Sequence, residues 1–249
     1  MKQRFVLDGI VPILQTPFLM NGAPDEESLA RLADEVIAAG AAGLIYPAVA
    51  SEAGKLAPGE RRSLLETVVK RVDGRVPVIA GVSAETLAES MGLAEHAQSI
   101  GAAGMLAQAP AAMRADAGAL EAFFRRLATA APLVLMIQDL DWQGEGMPVE
   151  LIRRLFETLP GFRCIKVETV PAGPKYSRLL EATEGRLHVS GGWAVTQMLD
   201  GLARGVHAFM PEGSMVRIYR RIYDLFHGAQ RGGVEVARRI IHLLVNNPG

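Results

Sequence analysis

Short apolar runs, several opened by Gly or Pro, alternate along this chain with longer segments in which apolar residues return every three or four positions. The runs cover residues 10–18, 43–48, 76–82, 104–109, 133–138, 162–168, 187–190 and 205–210. Each reads as a strand buried on both faces, and therefore as parallel to its neighbours. The segments between them, near 26–39, 58–72, 84–100, 118–130, 148–159, 175–182, 194–203 and 215–226, predict amphipathic helices. Eight strand–helix units, averaging about 31 residues each, are what a closed (β/α)8 TIM barrel requires. A further helix near 234–245 follows Arg231-Gly232-Gly233. The expected organisation is a barrel over residues 1–230 and a short C-terminal helical extension over 231–249.

Local signals agree with these boundaries. Asn21-Gly22 and Pro24-Asp25 supply a turn and a cap before the first helix. The junctions at 39–43, 100–104 and 203–207 resemble one another, a weak internal repeat of the kind a βα-repeat fold produces. A doubly wound open sheet is the alternative. The barrel is favoured because the candidate motifs sit at the ends of several different strands rather than at one crevice.

Charge and composition narrow the function. Among 249 residues, 26 are Lys or Arg and 27 Asp or Glu, and no basic block occurs, so a nucleic-acid partner is not expected. No apolar run reaches the length of a membrane span, and residues 1–8 lack the apolar core of a secretory signal, so a cytoplasmic protein without a membrane partner is expected. The single cysteine, Cys164, rules out an internal disulfide and a cysteine-based zinc site. His188 and His207 fall on expected strands and read as core histidines, so no metal site is expected.

The candidate chemistry begins with the lysines. Of Lys2, Lys55, Lys70, Lys166 and Lys175, four sit in terminal, helical or loop contexts suited to a solvated cation. Lys166 lies inside an expected strand whose period of two puts Cys164, Lys166 and Glu168 on one face. With Ile165 and Val167 turned to the helices, that face is the lumen. Desolvation there favours the neutral amine, a nucleophile towards a carbonyl, and Glu168 on the same face is the carboxylate placed to exchange a proton at C3 of a substrate held there. The alternative is an ion pair that only stabilises the strand end. Cys164 reads as a small lumen filler below Lys166.

Candidate substrate contacts lie at the barrel mouth. The Ser51-Glu52 turn offers N–H groups and a hydroxyl to a carboxylate, and Gln138 can orient a hydroxyl. Asp139 and Asp141 read as solvated loop residues. Gly191-Gly192-Trp193 and Gly213-Ser214 fall where many barrels hold phosphate, which keeps a phosphorylated substrate as an alternative.

Gly9-Ile10-Val11-Pro12 followed by Thr16-Pro17-Phe18, the Ser51-Glu52 turn, the strand at 76–82 and Ile165-Lys166-Val167-Glu168-Thr169 together resemble the dihydrodipicolinate synthase/N-acetylneuraminate lyase family. The resemblance runs from about residue 8 to 245 and is most specific at the strand-6 lysine. It implies a class I, Schiff-base lyase on a (β/α)8 barrel, with Lys166 forming an imine with a 2-keto acid such as pyruvate. Ser51-Glu52, Gln138-Asp139 and Lys166-Val167-Glu168-Thr169 look like its sugar-acid branch, typified by L-2-keto-3-deoxyarabonate dehydratase. The departures are Val49-Ala50 in place of paired threonines, Gln138 in place of a strand-5 tyrosine, and Ala111-Ala112 in place of paired tyrosines. These turn the expectation away from dihydrodipicolinate synthesis and sialic-acid cleavage. Family members also end in three extra helices that build a tetramer, where this chain has room for one; a homo-oligomer, dimer or tetramer, is the expectation. The leading reading is a cofactor-independent dehydratase of a 2-keto-3-deoxy sugar acid. A class I aldolase releasing pyruvate and a catalytically weakened keto-acid-binding barrel are the alternatives.

Overall fold

The computed structural model describes residues 6–192, 197–228 and 233–246. Trp193 and the expected boundary near residue 230 lie outside the described residues. Strands β1 (Gly9–Ile10), β2 (Leu44–Tyr46), β3 (Val78–Gly81), β4 (Gly104–Ala107), β5 (Val134–Asp141), β6 (Phe162–Thr169), β7 (His188–Gly191) and β8 (Ala208–Phe209) alternate with helices. These are α1 (Glu26–Ala38), α2 (Pro58–Val72), α3 (Leu87–Ser99), α4 (Ala117–Ala130), α5 (Val149–Thr158), α6 (Gly173–Ala182), α7 (Met198–Ala203) and α8 (Val216–His227). A ninth, α9 (Gly233–Asn246), packs back on α8 and buries Ala237.

Every strand pairing is parallel, in the order β1-β8-β7-β6-β5-β4-β3-β2. The β1/β2 seam is closed by a bridge between Ile13 and Ile45, with Leu14 N–H donating to Ile45 C=O at 3.1 Å and Ile45 N–H to Pro12 C=O at 2.9 Å. A parallel sheet that meets itself in this way is a barrel, so the open-sheet alternative falls.

The strand residues divide into two apolar sets, as a period of two demands. Ile165, Val167, Leu135 and Ile137 join the large core between sheet and helices, while Cys164, Met136, Leu106, Ile79 and Ile45 fill the lumen. Burial on both faces is the environment that the uninterrupted apolar runs foretold.

Element ends depart from the sequence pattern for local reasons. β1 is short: Pro12 has no N–H to give to a ladder, although Val11 and Ile13 N–H still donate to Phe209 and Pro211 C=O beyond it. α3 begins at Leu87, after the expected 84, because the Thr86 hydroxyl accepts the Glu89 N–H at 3.2 Å and caps the first turn. β5 runs on to Asp141 beside an equally long β6, taking Asp139 out of the expected loop. Gly81 lets β3 pass under the Pro47 carbonyl, space that a methyl group would occupy. No helix among the described residues is long and apolar enough to cross a membrane.

Candidate active site

The C-terminal half of β6 carries Lys166 and Glu168 up the lumen above Cys164. Lys166 is only 1% exposed, yet its Nζ lies 3.1 Å from Glu168 Oε2 at the floor of an open cavity. Parallel register sets Gln138 of β5 beside Lys166, and the Gln138 amide donates to the same Glu168 Oε2 at 2.6 Å. One carboxylate oxygen thus receives both donors, and the other, Oε1, turns against Gly192. The cavity measures about 230 Å³ and is also walled by Ile13, Val49, Ala50, Trp142, Met210 and Glu212. That lies just below the ~300–1,000 Å³ usual for ligand pockets, which suits a small acid. A larger cavity of about 810 Å³ opens alongside it, between the loops after β2, β3 and β4. The two share Val49 and Gln138, but the smaller holds Lys166 and is the candidate site.

The turn after β2 contributes differently from expectation. Ser51 is fully buried; its hydroxyl donates to Leu14 C=O at 2.5 Å and accepts from Ala48 N–H at 3.0 Å, and its own N–H goes to Ala48 C=O. A serine spent on its own turn has no hydroxyl hydrogen left for substrate. Glu52, in the left-handed region at φ 58°, pairs with Lys55 at the surface and lines no part of the cavity. Val49 and Ala50 line it instead, from the first positions of a 3-10 turn (Val49–Ser51) whose leading N–H groups have no acceptor within the turn. Thr16 anchors this turn by donating to Ser51 C=O at 2.6 Å, 3.0 Å from the buried Tyr46 hydroxyl. Burial pushes the Tyr46 phenol up to about 12, so it stays protonated.

Anion binding was expected of Gly191, the last residue of β7, and of Gly192 after it, and both are engaged within the protein. Gly192 N–H donates to Val167 C=O at 3.1 Å, and Gly191 packs under Phe209 and Tyr176. Gly192 still lines the cavity, and its missing side chain is the space that Glu168 occupies.

Three further groups differ from their sequence reading. Lys175 and Asp139, expected in solvent, form an ion pair buried to 2% exposure on both sides. Lys175 also donates to the carbonyls of Glu145 and Met147, and Asp139 accepts from Met147 N–H, which fixes the loop after β5. Burial pushes the Asp139 carboxyl above its usual range, with Lys175 pulling the other way. Below Lys166, Cys164 is more than a filler: its Sγ lies 3.0 Å from His188 Nδ1, and His188 Nε2 lies 3.5 Å from Asp8.

Sequence reasoning missed Glu212 and Trp142, both on the cavity wall. The signal for Glu212 was its place just past an apolar run that ends a strand. Among the described residues, no group of three His, Cys, Asp or Glu is placed to hold a metal ion.

A family model described as the dihydrodipicolinate synthetase family matches residues 6–246. The 4-hydroxy-tetrahydrodipicolinate synthase of Phenylobacterium zucineum (strain HLK1) is 31% identical over 201 residues, 80% of this chain and 65% of that protein. The L-2-keto-3-deoxyarabonate dehydratase of Azospirillum brasilense is 30% identical over 199 residues, 77% of this chain and 64% of that protein. The chain therefore spans just under two thirds of each of these relatives. In three dimensions it resembles YagE, a prophage protein of the dihydrodipicolinic acid synthase family from E. coli K12 solved in complex with pyruvate. The TM-score is 0.88 at 23% identity, over 98% of this chain and 82% of that one. Matched by the family model from residue 6 to residue 246, the chain belongs to the dihydrodipicolinate synthetase family.

Proposed function

We propose that this protein forms an imine between Lys166 and the C2 carbonyl of a 2-keto acid, and that it dehydrates a 2-keto-3-deoxy sugar acid. The observation that carries the reading is the 3.1 Å approach of Lys166 Nζ to Glu168 Oε2 on the floor of a cavity that reaches solvent. A purely structural ion pair has no need of that opening. The leading N–H groups of the Val49–Ser51 turn are the donors available to the substrate carboxylate.

One carboxylate serves every proton transfer. Glu168 takes a proton from the Lys166 ammonium, and the freed amine attacks C2. Glu168 returns that proton to the C2 oxygen, then takes a second one from the adduct nitrogen and passes it to the same oxygen, which leaves as water as the iminium forms. The iminium withdraws electrons from C3, and Glu168, a carboxylate again, removes a C3 proton while the C3–H electron pair becomes the enamine double bond. The enamine then expels the C4 hydroxyl, which takes the proton from Glu168 and leaves as a second water. Hydrolysis of the conjugated iminium frees Lys166. Gln138 holds the Glu168 carboxylate in place through the cycle.

Borohydride added with pyruvate should trap one covalent adduct per chain, at Lys166, and none in Lys166→Ala. Label that survives Lys166→Ala or maps to Lys175, the second buried amine, would overturn the imine. Release of pyruvate plus an aldehyde from a sugar acid, with no loss of water, would make the enzyme an aldolase.

A further inference from the structure

We propose that Glu212 determines which substrate tail the site accepts: its carboxylate takes hydrogens from an uncharged, hydroxylated tail and rejects a phosphate or second carboxylate. The inference rests on the imine reading only for the direction of the substrate, with C2 at Lys166 and the tail towards the rim.

Glu212 enters the cavity from the loop after β8, at the strand-like bridge to Ile13. It is not a loose side chain. Oε2 accepts from Gln15 Nε2 at 2.8 Å and from Ser214 N–H at 2.8 Å, and Oε1 accepts from the Ser214 hydroxyl at 2.6 Å. The Gln15 amide is itself oriented by accepting Gly213 N–H at 3.2 Å. A carboxylate offers about four acceptor positions, so these donors leave capacity on Oε1 for a hydroxyl hydrogen. An ionised carboxylate only accepts hydrogen bonds and cannot donate one to a phosphate.

The charge of the cavity points the same way. Its charged lining groups are Lys166, Glu168 and Glu212, and Lys166 is committed to C2. A tail anion would meet two carboxylates and, among the described residues of this wall, no cation besides Lys166. The nearby cation, Arg114, lines a separate cavity with Asp141; Leu140 and Trp142 wall both. Trp142, 60% exposed, presents an apolar indole beside the rim, against which the C–H face of a sugar chain can lie. Carboxylate for hydroxyl edges and indole for C–H faces is a recognition set for a neutral polyol.

The test measures dissociation constants by calorimetry for 2-keto-3-deoxygluconate and its 6-phosphate, in a Lys166→Ala background that prevents turnover. With Glu212 present, the neutral acid should bind about 10- to 100-fold more tightly than the phosphate. Glu212→Gln, similar in shape but uncharged, should bring the two within about threefold, while Glu212→Asp should keep a preference of the same sign. Equal binding with Glu212 present, tighter binding of the phosphate, a preference unchanged in Glu212→Gln, or binding of neither acid would overturn the proposal. Borohydride trapping on protein with Lys166 intact reports the imine separately. Trapping that fails alongside a collapsed preference removes the lysine mechanism and leaves Glu212, and the converse result removes Glu212 alone.

Discussion

Gly192 and Glu168 share one volume: a methyl group on Gly192 would stand 2.5 Å from Glu168 Oε1 and closer still to its Cγ. The glycine after β7 is thus the mould of the carboxylate on β6. Gly192→Ala must push Glu168 away from Lys166 and Gln138 or shift the β7 end. We expect a folded protein that still traps pyruvate at Lys166 but exchanges C3 hydrogen at least about tenfold more slowly. Proton NMR in deuterium oxide reads the exchange, and wild-type exchange in Gly192→Ala would show that the carboxylate position is immaterial.

Glu168→Gln removes the base while keeping an oxygen that can accept from Gln138. The trapped adduct at Lys166 should still form, though more slowly because Glu168 also frees the amine, and C3 exchange and water elimination should fall by roughly 10²- to 10⁴-fold. Trapping at the wild-type rate would mean that Glu168 has no part in freeing the amine. Exchange at the wild-type rate would mean that another group is the base.

The barrel and its lysine were legible because both rest on periodicity. Uninterrupted apolar runs mark strands buried on two faces, and Lys166 breaks such a run on the lumen side, where no solvated reading is available. What escaped depends on contacts between distant segments. Ser51 looked free because nothing local shows that Leu14, 37 residues earlier, takes its hydroxyl. Lys175 and Asp139 looked solvated because one opens an expected helix and the other falls in an expected loop, and only the fold brings them together. Glycines announce themselves in sequence, but whether Gly192 offers an N–H or an empty space is decided by the side chain opposite it.

The Lys175–Asp139 pair gives a stability prediction. Removing one partner leaves the other charge buried, at a cost of about 3–5 kcal/mol, whereas removing both leaves no charge behind. Lys175→Met and Asp139→Asn should each lower the urea midpoint strongly, and the double variant should regain part of the loss. Lys175→Met should also loosen the segment that carries Trp142 to the cavity, through the lost bonds to Glu145 and Met147. Additive losses would show that the two charges do not depend on each other.

The last prediction concerns pH and lies beneath the active lysine. His188 is buried in the lumen floor, between Cys164 on β6 and Asp8 ahead of β1, with Ser190 of β7 at 3.1 Å and the His207 ring stacked on it. Burial alone would lower this imidazole, but the Cys164 sulfur and the Asp8 carboxylate together push it up to about 9. A histidine raised above its unfolded value near 6.5 binds its proton more tightly in the folded state. Its contribution is therefore complete below about pH 6.5 and is lost as pH rises through about 9. The shift corresponds to a stability difference on the order of 3 kcal/mol between those limits. Urea unfolding from pH 6 to 10 should show this decline, and His188→Gln, which cannot carry the charge, should flatten it while lowering stability at pH 6. A decline of equal depth in His188→Gln would assign it to other groups and leave the Cys164–His188 contact without a stored proton.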